Sequence, residues 1–114
     1  MNRKQFAMFA MALKTYYPRE NIMPNEQAME LWFDHLKNIP YEVAELALQR
    51  WVNQNKWSPS IAEIRAEAKH ILWRIWEDKG GAEALEVYEK IRQMELEENE
   101  VPSTVLAIET KEES

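Results

Sequence analysis

The stretch Ile39–Arg65, IPYEVAELALQRWVNQNKWSPSIAEIR, contains one complete helix pattern, one complete loop and the start of a second helix. Pro40 suits a first helical turn, where its missing N–H would have no partner anyway. Val43, Ala44, Ala47, Leu48, Trp51 and Val52 recur at three- and four-residue spacing, which puts them on one stripe of a helix. Asn53 and Asn55 weaken this helix. Trp57-Ser58-Pro59 ends it, because a residue preceding proline is pushed out of the helical region. Ser60 and Glu63 have capping-box spacing: the hydroxyl accepts from the N–H of Glu63 and the carboxylate accepts from the N–H of Ser60. The next helix is therefore expected to begin at Ile61, with Trp57 plugging the corner between the two.

Working outward, the same reasoning predicts helices near 3–16, 26–37, 41–54 and 61–79, with a fifth near 82–94. Phe6, Phe9, Ala10 and Leu13 form the buried face of the first, and Tyr17-Pro18 stops it. Asn25 is the expected N-cap of the second, with Glu26 in its first turn, where the helix dipole favours a carboxylate. Ala28, Leu31, Trp32 and Leu36, with Met29 and Phe33, make this helix strongly apolar. Ile61, Ile64, Ala68, Ile71, Leu72 and Ile75 form the stripe of the fourth, and Gly80-Gly81 falls where its C-cap is expected. The fifth pattern, with Leu85, Val87, Tyr88, Ile91 and Met94, is thinner and richer in acid. The fold class is all-α: an irregular bundle of four to five short helices with an acidic, partly disordered C-terminal tail. Residues 1–79 form the helical body, 80–94 hold the fifth helix, packed on the body or free of it, and 95–114 form the flexible tail.

The chain has 114 residues and no cysteine, so neither a disulfide framework nor thiolate chemistry is available. No apolar run approaches the roughly 20 residues needed to span a bilayer. The basic-then-apolar start, MNRKQFAMFAMALK, reads as an amphipathic helix and not as a secretion signal. The net charge of −6 is unevenly placed. Residues 1–79 carry 11 Lys or Arg against 10 Asp or Glu, whereas residues 80–114 carry 3 against 10. An acidic appendage on a neutral body disfavours strong direct nucleic-acid binding, which needs a basic surface.

Catalytic chemistry finds little support. His35 and His70 stand far apart, and Asp34-His35 and Glu67-x-x-His70 supply no repeated ligand pair. Glu42 with Glu45 and Glu97 with Glu98 are neighbours on charge-dense helix faces, whereas a catalytic pair needs a cleft with unequal environments. No phosphate loop, dinucleotide fingerprint or nucleophile triad is present, so neither an enzyme nor a cofactor or metal site is expected. The five tryptophans say more. Trp32 and Trp51 lie on core stripes. Trp73 and Trp76 lie off the stripe of their own helix, so either the fifth helix covers them or they face a partner. Val101, Val105, Leu106 and Ile108, with Leu96 ahead of them, form an apolar island in the acidic tail. Together with Trp73 and Trp76 these are the candidate partner-binding residues.

Four blocks carry a resemblance: Leu13-Lys14-x-Tyr16-Tyr17-Pro18; Trp32-x-x-x-Leu36; Pro40-Tyr41-Glu42 with Ala47-Leu48; and Lys56-Trp57-Ser58-Pro59-Ser60-Ile61-Ala62-Glu63-Ile64. Their order and spacing over about residues 6–67 resemble small phage replication proteins that load and inhibit the phage replicative helicase. Ser58 departs from the Pro-Pro expected there. The resemblance implies an all-helical N-terminal domain and a poorly ordered C-terminal region that binds the hexameric replicative helicase. It further implies that the helicase is held inactive until delivery to the origin through an origin-binding initiator protein. The setting would be the cytoplasm of the bacterial host, without nucleotide hydrolysis or strong DNA binding by the loader. Two other readings are a helix-turn-helix DNA-binding regulator and a phage inhibitor of a host protein. The first is weakened by Ile61-Ala62-Glu63-Ile64, which opens a helix without a base-reading side chain.

Overall fold

The structure, a computed structural model, describes residues 1–79 and 83–97. Among these residues there are five helices and no strand: α1 (Arg3–Tyr16), α2 (Glu26–Leu36), α3 (Tyr41–Gln54), α4 (Ile61–Asp78) and α5 (83–97).

Side-chain caps start three of the helices. At α4 the Ser60 Oγ accepts from Glu63 N at 3.1 Å and Glu63 Oε1 accepts from Ser60 N at 2.9 Å, the expected reciprocal box. Asn25 Oδ1 accepts from Ala28 N at 2.8 Å, as expected for α2. At α1 a second reciprocal box, Asn2 with Gln5, was not anticipated from the sequence. Pro40 stands at the cap position itself, one residue ahead of the first turn, with φ −57° and ψ 139°. Its ring fixes φ without offering a side-chain acceptor, so α3 begins uncapped.

The stripes meet as the spacing requires. α3 packs along α4, α1 lies against α3 and α2 against α4. Phe9, Leu13, Leu36, Ile39, Ile64 and Leu72 are the large fully buried side chains of α1–α4 and their connections. Each contributes about 1.5–3 kcal/mol through its removal from water. α2 is less buried than its composition suggests. Only Leu36 is fully enclosed; Met29, Trp32 and Phe33 lean on the core, and Leu31 is exposed. The helix has one side to bury and too many apolar residues to fit on it. Met23 has φ 49°, a left-handed conformation that a side chain disfavours. Its side chain is buried in the core and its carbonyl accepts from Lys14 Nζ at 3.2 Å, which holds the turn in place.

α5 returns along α4 in the opposite direction, since Tyr88 faces Trp73 and Met94 lies against Arg65. Ile91 and Met94 are both 1% exposed and belong to the common core. The helix continues to residue 97, three residues beyond the end expected at Met94. Gly80-Gly81, the expected C-cap of α4, lies outside the described residues, and the N–H of Lys79 bonds to Ile75 O at 3.0 Å.

Candidate functional site

The corner between α3 and α4 is closed by hydrogen bonds to its backbone. Trp51 Nε1 donates to the Trp57 carbonyl at 2.7 Å, and Tyr17 Oη donates to the Asn55 carbonyl at 2.9 Å. Ser58 N donates to Glu20 Oε2 at 2.7 Å, which ties the corner to the loop after α1. The expectation that Trp57 plugs this corner is therefore corrected. Its indole is 73% exposed, and the interior is filled by Tyr17 and Pro59, with Trp51 packed against it. The backbone of Trp57 is the part that the corner uses.

Trp73 and Trp76 make an edge-to-face pair, ring centroids 5.4 Å apart at 87°. Tyr88 of α5 meets Trp73 at 6.5 Å and 75°. The two readings of these tryptophans thus divide between them: α5 partly covers Trp73, while Trp76 stays 38% exposed. Leu85, Tyr88 and Leu96 are the exposed large apolar residues of α5. Of the apolar tail candidates, Leu96 alone falls within the described residues. Val101, Val105, Leu106 and Ile108 lie outside them.

The group that sequence reasoning missed is Arg65, which is 4% exposed. Its guanidinium donates to the His35 carbonyl at the end of α2 and to the Met94 carbonyl of α5, the latter at 2.8 Å. Glu97 Oε2 lies 3.6 Å from it, and Glu97 Oε1 accepts from Asn38 Nδ2 at 2.7 Å. Helix C-terminal carbonyls carry partial negative charge, so a cation placed between two of them is favoured. A planar fork of N–H donors can serve both and a carboxylate besides. The position was readable as inward-facing, since Arg65 is four residues after Ile61 and three before Ala68 on the α4 stripe. The free amine of Met1 is close by, bonded to the carbonyls of Lys37 and Ile39. Burial lowers the pKa of this amine most, Lys90 of α5 lowers it further, and Glu42 opposes both.

The histidines do not converge. His70 is exposed, the described role of His35 is its carbonyl, and among the described residues no three His, Asp or Glu side chains meet as metal ligands would. Glu67 lies 3.3 Å from Arg50, an ion pair between α3 and α4. The α4 start is unsuited to the major groove: Glu63 is spent on the cap, and the nearest arginine, Arg65, is buried. No described helix is long and apolar enough to cross a membrane.

No curated protein and no solved structure matches the chain. A family model does: that of the N-terminal domain of a phage helicase loader/inhibitor protein, which matches residues 1–65. That span covers α1, α2, α3, the tied corner and the first turn of α4, ending on the buried arginine. The chain therefore belongs to this family of phage helicase loader/inhibitor proteins.

Proposed function

We propose that this protein is a phage DNA replication accessory factor that binds the replicative hexameric helicase, holds it inactive and helps deliver it to the origin through an initiator protein. Membership of the loader/inhibitor family over residues 1–65 carries the reading. The charge distribution supports it: a neutral body joined to an acidic segment suits a protein partner better than a phosphate backbone. In this reading Leu96, Val101, Val105, Leu106 and Ile108 bury themselves against the helicase, with Trp73 and Trp76 a second contact. Glu95, Glu98 and Glu100 steer the acidic segment toward a basic surface. A segment of this composition orders as it binds, so its grip is reversible, as release of the helicase requires.

The test is co-purification with the helicase encoded by the same phage, scored by inhibition of its ATPase. A stable complex with reduced turnover is expected, and a chain ended after residue 97 should fold normally and lose the complex. The cut is placed there because residues 95–97 are part of α5 and Glu97 touches Arg65. A shortened chain that still inhibits would move the site to the body, where Trp73 and Trp76 lead. Capture of a host protein in place of the helicase would favour the host-inhibitor reading.

A further inference from the structure

α5 is held to the body in an unusual way. Its described apolar anchor is two fully buried side chains, Ile91 and Met94, while Leu85, Tyr88 and Leu96 face water. The remaining hold is polar and gathers on Arg65. One guanidinium joins the end of α2, through the His35 carbonyl, to the last turns of α5, through the Met94 carbonyl and Glu97. Asn38, in the α2–α3 connection, holds the same Glu97 carboxylate. Apolar contact alone tolerates sliding and rotation of a helix. Donors aimed at a named carbonyl and a named carboxylate do not, so the polar group fixes register at some cost in desolvation.

We infer that Arg65 is a positioning residue for partner binding: it clasps α5 so that the chain after residue 97 leaves from one fixed place beside the α2–α3 connection. The inference rests on the proposed function, which assigns helicase contact to Leu96 and the residues that follow. Leu96 is 53% exposed and adjoins Glu97, so the clasp presents the first apolar contact and fixes the start of the segment behind it. A fixed start reduces the ordering that binding must impose. An undocked α5 would lose this advantage, because 15 residues of isolated helix are marginal in water.

Two full-length variants test this, each measured by hydrogen exchange and by affinity for the helicase encoded by the same phage. Ile91→Asp removes the apolar anchor and Arg65→Lys keeps the charge but loses the fork. Exchange across 83–97 should rise in both while α1 and α3 stay protected. Affinity should fall about tenfold for Ile91→Asp and about threefold for Arg65→Lys, the loss of preorganisation. Glu97→Gln, at the helix end where folding is not at risk, should act in the same direction and more weakly. Exchange at 83–97 that is already fast in the unaltered chain would overturn the clasp. Released α5 with unchanged or tighter helicase binding would overturn the positioning role, since a merely structural arginine predicts no loss. If the unaltered chain does not bind the helicase, the proposed function fails, and the exchange data still decide whether the clasp exists.

Discussion

The α3–α4 corner and α5 are both attached to the same core, by different means. The corner is covalently continuous with its two helices, is framed by their buried stripes and is tied by short hydrogen bonds to its backbone. α5 returns from beyond Lys79 and inserts two side chains, with a buried arginine holding its end. Packing of the first kind is cooperative and hard to undo piecemeal. Attachment of the second kind can open locally without loss of the body. A helicase loader has use for both: a permanent shape, and an arm that meets the partner.

The contrast is broken most directly by cavities of similar chemistry. Leu13→Ala, in the centre of the body, should cost about 2–5 kcal/mol and lower the global unfolding midpoint. Met94→Ala should cost less globally and show itself chiefly as faster hydrogen exchange over 83–97. Equal global costs would place α5 in the same cooperative unit as α1–α4. Next in size is the cap: Ser60→Ala should cost about 1 kcal/mol, read by denaturant unfolding, because the Glu63 N–H loses its acceptor.

Tyr17→Phe should also cost about 1 kcal/mol, since the Asn55 carbonyl loses its donor. This variant has a pH signature. Burial raises the Tyr17 phenol above its ordinary value near 10, and Glu20 raises it further. The neutral phenol therefore stabilises the fold fully below about pH 10, and that contribution is lost as pH climbs through the higher folded value. The unaltered chain should lose stability above pH 10, and Tyr17→Phe should lose it less steeply. Tyr41, raised first by burial and then by Glu45, leaves a residual slope. An identical alkaline limb in both proteins would contradict the buried position of Tyr17. The smallest expected effect is at Trp57→Ala, within about 0.5 kcal/mol, because the exposed indole is not what the corner uses. A large loss there would restore Trp57 as the plug and weaken the account of the corner as backbone-tied.

The sequence by itself determined the all-α class, the starts of α2 and α4, and the buried faces of α1, α3 and α4. These follow from local rules: the 3.6-residue period, the reach of a Ser or Asn side chain to a free N–H three residues on, and the exclusion of helix before proline. It also carried the family, through blocks whose order and spacing run across the matched span. The tertiary structure decided what depends on neighbours distant in the chain. Leu31 and Trp57 are exposed although both are apolar, because burial is settled by which side of an element meets another element. Trp73 and Trp76 part company because Tyr88, twelve and more residues away, approaches only one of them. Arg65 is the clearest case. Its place on the α4 stripe was visible in the sequence, but a charged side chain there is tolerable only where partners surround it. Those partners are carbonyls at the ends of α2 and α5 and a carboxylate from residue 97, brought together only by the packing of the helices.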